Sequence, residues 1–366
     1  MSISGRDDTR RDGGPSAGST AAQEVARRRT RAGRGVAIIA AALVVTAALL
    51  AIRASPARLR RLQGADREAT AASVATRAFF QAGTVVIVRA DQPADGLAAL
   101  YLAGTEQAAL LYSGPGGLGR ATMNALIALG PRQALIVGDD TAVPLDVDGR
   151  LAGLGIATTR LAAPTRYGTA AVIAQASGPP ASFGALGPTA IVLDDADAAR
   201  YSSVGALAYG ARYPVLYARD GALPPETAAA LVEARVAHVL LLGGAGPVAP
   251  TLQRMGISSQ VLARDDGPAT SAAIGALETF ILGWAPHRAV LARGDTFPDA
   301  LAAGQLAGSA HVPLIVTEGT GNLGAPAEDY LRMHGPLSTL DIVGDPSAIT
   351  PTAALDAAAA GDCCKG

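Results

Sequence analysis

The chain has 366 residues, a formal net charge of −1, and 49% apolar residues of which few are aromatic. Its charged share of 17% falls below the ~25% of an average globular chain, so any core must be aliphatic and alanine-rich, and nothing beyond the first segment reads as disordered. Past residue 34 the chain is mildly acidic, which excludes the basic face of a nucleic-acid binder.

Residues 1–34 hold eight arginines against four acids and read as a disordered, Arg-rich cytoplasmic tail. Residues 35–52 form an uncharged apolar run. At ~1.5 Å rise per residue it spans about 27 Å as a helix, enough for a bilayer core. Arg27, Arg28, Arg29, Arg31 and Arg34 crowd its leading flank. The positive-inside rule keeps that flank in the cytoplasm and sends the rest of the chain outside. The expectation is a single-pass cell-membrane anchor, followed by a linker over 53–60 and an extracytoplasmic body facing the wall. A cleaved signal peptide is the rival reading, and it exports the body equally.

The body repeats itself with a period near 100 residues. Glycine turns close apolar runs at Gly138, Gly243 and Gly344, and Thr70, Thr169 and Thr270 form a second landmark. The first repeat (61–157) reads as strand 84–89, an acidic loop 91–95, helix 96–103, strand 108–112, helix 122–129 and strand 134–137. The second (158–260) runs strand 189–193, helix 203–208, strand 214–217, helix 225–234 and strand 238–242. The third (261–366) runs helix 269–282, strand 288–292, loop 294–299, helix 300–306, strand 312–316, helix 326–334 and strand 340–343. A fourth strand is expected at the junctions, near 158–161 and 260–263. Unbroken apolar strands alternating with helices predict a parallel sheet covered on both faces. The fold class is therefore α/β: three tandem small domains with mostly parallel sheets flanked by helices, preceded by one transmembrane helix.

Several residues invite chemistry. Asp295 and Asp299 form a carboxylate pair, but no copy supplies a His or Glu partner, so Asp95, Asp295 and Asp299 are assigned to turns and helix capping. Gly244–Ala249 fits a dinucleotide pattern only on its own, with Pro247 and Pro250 disturbing the helix start. The four histidines have no ligand spacing, and Cys363 and Cys364 are adjacent at the end of the chain. No cofactor, metal or catalytic site is expected. Trp284 and several tyrosines are candidates for stacking on sugar rings.

The segment Arg61–Ala72, with Asp66, Arg67 and Thr70, recurs as Arg160–Ala171, with Thr165, Arg166 and Thr169. A third copy, Arg264–Thr270, has lost the second arginine. Ala292-Arg293-Gly294-Asp295-Thr296-Phe297-Pro298-Asp299-Ala300-Leu301 recurs weakly from Arg89 and degenerately at Asp194–Asp197, and Pro214 and Pro313 each open an aliphatic run. This ordered set resembles the type 2 cell-wall-binding repeats of Gram-positive surface proteins, over roughly residues 58–355. The resemblance implies three α/β units in a pseudo-threefold arrangement. It further implies non-covalent attachment to an anionic cell-wall glycopolymer in grooves between repeats, with Arg67, Arg89, Arg166, Arg264, Arg293, Pro214 and Pro313 as ligand-binding residues. The alternatives are an α/β enzyme with a pocket between domains, or an envelope protein–protein scaffold that has lost polymer binding. Self-association is left open.

Overall fold

The computed structural model describes residues 57–362 apart from 263 and 265. The apolar segment 35–52 and the two cysteines lie outside the described residues. Among the described residues no helix is long and apolar enough to cross a membrane.

The elements follow in chain order. The first group is β1 (Arg58–Leu62), α1 (Arg67–Ala78), β2 (Thr84–Arg89), α2 (Pro93–Glu106), β3 (Ala109–Ser113), α3 (Arg120–Leu129), β4 (Gln133–Val137), α4 (Asp146–Gly153) and β5 (Ala157–Leu161). The second is α5 (Arg166–Ala176), β6 (Thr189–Asp194), α6 (Val204–Ala211), β7 (Val215–Ala218), α7 (Pro225–Glu233), β8 (His238–Leu242), α8 (Ala249–Arg254) and β9 (Ser258–Val261). The third is α9 (Gly267–Phe280), β10 (Arg288–Arg293), α10 (Phe297–Ala310), β11 (Leu314–Thr317), α11 (Ala325–Met333), β12 (Thr339–Val343) and α12 (Pro351–Asp362).

The strands form three four-stranded parallel sheets, ordered β3-β2-β4-β5, β7-β6-β8-β9 and β11-β10-β12-β1. The order is the same each time, except that the third sheet takes its last strand from the start of the body. β1 lies parallel to β12, with Arg58 opposite Thr339 and Leu62 opposite Val343. Residues 58–60, read from sequence as linker, therefore belong to a strand. Arg60 forks onto the buried Asp341 carboxylate at 2.7 and 2.8 Å, and the Arg61 guanidinium donates to the Gly344 carbonyl.

Each sheet is apolar on both faces, as its unbroken strands require. In the first, Val86 and Val88 point inward and Val85 and Ile87 outward, all fully buried. The inward faces meet three central helices, α2, α6 and α10, which pack against one another. Small residues let their backbones touch. A Cβ added to Gly104 would lie 2.1 Å from the Tyr209 carbonyl oxygen, and one added to Gly308 would lie 2.7 Å from Tyr209 Cβ. One turn earlier, Gly304 meets the Leu100 side chain and the Gly205 backbone. These close approaches advance together along all three helices, so the helices run parallel. The three sheets consequently share one polarity: all strand C-termini lie at one end of the body and all N-termini at the other.

Polar bonds tie the repeats together. Gln305 on α10 pairs its amide with both the N–H and the carbonyl of Leu110 on edge strand β3, at 2.8 and 3.0 Å. The hydroxyl of Tyr112 donates to the Pro298 carbonyl at 2.7 Å, that of Tyr217 to the Ala94 carbonyl, and that of Tyr209 to the Ala108 carbonyl. These tyrosines are buried, as are Tyr201, Tyr213 and Trp284, so the sugar-stacking expectation does not hold for them. Only Tyr167 is part-exposed, and its hydroxyl donates to Asp195.

Two consequences are measurable. Gly308→Val would force branched bulk against the α6 backbone and should cost about 2–3 kcal/mol, read as a lower midpoint in urea denaturation. Glu278 on α9 is fully buried with neither carboxylate oxygen hydrogen-bonded, and burial pushes its pKa well above the ordinary value of 4.5. The folded state thus keeps a proton that the unfolded chain releases above about pH 4.5, and stability falls as pH rises from there toward the raised pKa. Glu278→Gln should raise Tm at pH 7, with the gain shrinking as the pH approaches 4.

Candidate functional site

The repeated landmarks gather where one sheet ends and the next repeat's first helix begins. Three helices open alike. Asp66, Thr165 and Asp266 cap α1, α5 and α9 by accepting from Ala69, Gly168 and Ala269 N–H. One turn on, the hydroxyls of Thr70, Thr169 and Thr270 accept from the N–H of Gly64, Ala163 and Arg264, at 3.1, 3.1 and 2.9 Å. The threonine period seen in the sequence is this bond. Arg67 and Arg166 follow the caps and are exposed.

Facing each helix start is the loop after the first strand of the preceding sheet. Arg293 pairs there with Asp295, and Arg89 with Asp91 at 2.6 Å. Asp299 and Asp95 sit in the first turns of α10 and α2 without a side-chain capping bond. The capping expectation for them is therefore replaced. The helices start earlier, at Phe297 and Pro93, and Asp299 lines a cleft.

At the junction of the third sheet with α1, Gly64, Arg67, Thr70, Arg293, Pro298 and Asp299 help to line a cleft of about 240 Å³. Asp345 and Ser347 complete its rim. Burial raises the Asp299 pKa and neighbouring Asp345 adds to this, while Arg293 and Arg67 oppose it. The junction of the first sheet with α5 has the same plan. Burial raises Asp95, Asp139 adds to the rise, and Arg166 opposes it. Both rims are ordered by the same turn. Asp345 accepts from the Ser347 hydroxyl and from Ser347 and Ala348 N–H, and Asp139 accepts from the Thr141 hydroxyl and from Thr141 and Ala142 N–H. These bonds, the hydroxyl ones foremost, hold both carboxyls below the usual range. Gly344 and Gly138 begin these turns at φ of 115° and 109°, and Gly243 takes 58°, so all three glycines stand at positions that disfavour a side chain.

The third junction departs from the plan. Asp194 ends β6 where Arg89 and Arg293 end their strands, and Gly267 follows the Asp266 cap where Arg67 and Arg166 follow theirs. A Cβ on Gly267 would lie 2.9 Å from the Arg200 carbonyl oxygen. Asp197 covers Gly243 and accepts from Gly244 N–H. Arg264 is exposed, but it takes the place of Gly64 and Ala163, while Val261 stands where Arg61 and Arg160 do. Pro214 and Pro313 are buried, and their carbonyls accept from Ile191 and Val290 N–H in the sheets. Of the seven expected ligand-binding residues, then, the structure brings Arg67 and Arg293 into one cleft and sets Arg166 near Asp95, paired with Asp195 at 3.6 Å, while Arg89 pairs with Asp91. It takes Arg264 to the third junction and places the two prolines inside.

Three tandem α/β units that repeat one sheet order and one helix-opening turn define a tandem-repeat protein. The model of the family described as cell wall binding domain 2 matches residues 61–148, 160–253 and 265–354, well over half the chain, and the chain belongs to that family. It is 26% identical over 294 residues to the N-acetylmuramoyl-L-alanine amidase LytC of Bacillus subtilis, covering 80% of this chain and 56% of that protein. Among solved structures it is similar to Cwp6 from Clostridium difficile, with a TM-score of 0.71 at 22% identity over 82% of this chain and 48% of the other. Cwp8 from the same organism gives 0.70 at 22%, over 83% and 52%. The chain spans about half the length of the relatives it matches.

The clefts carry one electrostatic prediction. Arg166→Ala removes the cation that opposes the burial of Asp95, so the Asp95 pKa should move further up while that of Asp299 holds. Carboxyl carbon shifts followed through a pH titration report both.

Proposed function

We propose that this protein attaches non-covalently, and without catalysis, to an anionic cell-wall glycopolymer through the clefts at two of its three repeat junctions. The observation that carries the reading is the cleft where an exposed helix-start arginine, Arg67, and a strand-end arginine, Arg293, flank the half-buried Asp299; the first junction repeats these residue types with Arg166, Arg89 and the half-buried Asp95. Membership of a cell-wall-binding family supports it. Guanidinium forks suit phosphate and carboxylate oxygens, and acids surround the clefts, so the attraction is local rather than a general pull on polyanions. Two modest sites on one rigid body hold a repeating polymer far better than either alone. The arginines at the third junction are replaced by Asp194 and Gly267, so the expected valency is two. In this reading residues 35–52 anchor the chain in the membrane, with its N-terminus cytoplasmic and the body outside.

Sedimentation with purified cell walls tests the proposal. Binding should fade as salt rises, because exposed charge contacts are screened within about 10 Å at ~0.1 M ionic strength. Arg67→Ala with Arg166→Ala should lower retention roughly tenfold or more, from the loss of two charged contacts. Arg264→Ala should have the smaller effect. A double variant that sediments like the parent protein overturns the assignment of both clefts.

A further inference from the structure

The shared polarity of the sheets gives the body two chemically distinct ends. The clefts occupy the end where the strands finish. The opposite end, where the strands begin, collects most of the exposed large apolar side chains among the described residues. Eight of the twelve lie there, including Phe80 (92% exposed), Ile127, Val232, Phe280, Ile281 and Met333. Each follows or closes a helix just before a strand: Phe80 before β2, Ile127 before β4, Val232 before β8, Phe280 and Ile281 before β10, Met333 before β12. Monomeric soluble proteins seldom concentrate apolar side chains in this way without a partner.

The same end is basic. Arg58, Arg77, Arg132, Arg212, Arg235 and Arg254 are exposed there, against the acids Glu106 and Glu233 and the part-buried Asp362. The cleft end has the contrary balance, with Asp66, Asp139, Asp195, Asp266, Asp295 and Asp345 around its arginines. Apolar side chains and arginines sharing one end match the boundary between acyl chains and anionic headgroups.

The chain also enters the body at this end. The Arg58 N–H donates to the Ser338 carbonyl, in the loop just ahead of β12. Only residues 53–57 separate that point from the apolar run 35–52. At ~3.3–3.6 Å per residue, five residues reach at most about 18 Å.

We infer that this end of the body rests on an anionic lipid surface, with Phe80, Phe280, Ile281 and Met333 dipping among the headgroups and the clefts turned outward. The inference rests on the membrane-anchor part of the function proposed above. It assigns the apolar end a partner.

The test uses the full chain reconstituted in phosphatidylglycerol–phosphatidylcholine vesicles that carry a nitroxide quencher at a shallow acyl position. Tryptophan is introduced singly by Phe80→Trp, Phe280→Trp and, at the cleft end, Leu145→Trp, and the parent protein with its one native Trp284 gives the baseline. The introduced tryptophans at 80 and 280 should be quenched roughly twofold or more relative to the one at 145, since interfacial side chains sit ~5–10 Å into the boundary. Retention after an alkaline carbonate wash reports the anchor separately. A chain stripped by carbonate overturns the anchor and this orientation with it. A chain that resists carbonate while positions 80 and 280 stay as unquenched as 145 overturns the orientation alone and leaves wall binding standing. Dimers cross-linked through this end, with both tryptophans unquenched, would assign the face to a second copy and likewise overturn the lipid assignment.

Discussion

Backbone-to-backbone packing of α2, α6 and α10 is the constraint on which everything else depends. Where glycine or alanine meets a neighbouring carbonyl, helices approach more closely than side chains elsewhere permit, and the approach fixes direction as well as distance. Gly104 with Tyr209, Gly304 with Gly205 and Gly308 with Ala206 hold the three helices in parallel register. Because every sheet is built on its own central helix by right-handed crossover connections, parallel helices force parallel sheets. The clefts are a by-product of that order. Each forms where the loop after a first strand meets the start of the next repeat's opening helix, and the same geometry brings arginine and aspartate together twice.

Burial does the chemical work in the clefts. Asp95 and Asp299 are drawn partly out of water, which disfavours their charge, and each is answered by a guanidinium from the neighbouring repeat. The carboxyl thus positions the arginine, and the arginine tolerates the carboxyl. At the third junction both arginines are gone, and the loop of the second repeat closes over the space with Asp197 on Gly244 and the Arg200 backbone against Gly267. That junction has turned from a cleft into a contact.

Much of this was legible in the sequence because buried parallel strands announce themselves. Val85–Val88, Ala190–Leu193 and Ala289–Ala292 are unbroken apolar runs, and all are buried. The glycine turns and the threonine period were equally plain, being fixed by positive φ and by one recurring hydrogen bond. What escaped has physical reasons. β1 reads Arg-Leu-Arg-Arg-Leu, and its arginines look like linker charge until Asp341 and the Gly344 carbonyl, some 280 residues away, supply their partners. The helices α4, α8 and α12 are short or dominated by alanine and aspartate, with little apolar period to reveal them. Asp299 looked like a cap because the helix was expected to begin just after it, at 300, whereas α10 begins at Phe297. The register of Arg264 could not be settled without knowing that its N–H, like that of Gly64, serves the following threonine.

The exchange of β1 into the last sheet bears on how the chain comes to be made. β1 is among the first segments of the body to be synthesised and β12 among the last. At ~5–20 residues per second, an interval on the order of tens of seconds separates the two. Throughout it, one edge of a sheet exists without its mate, and a strand carrying three arginines is better suited to waiting in water than an apolar one. The polar character that hides β1 in the sequence keeps a nascent chain from sticking to its neighbours before its last repeat arrives.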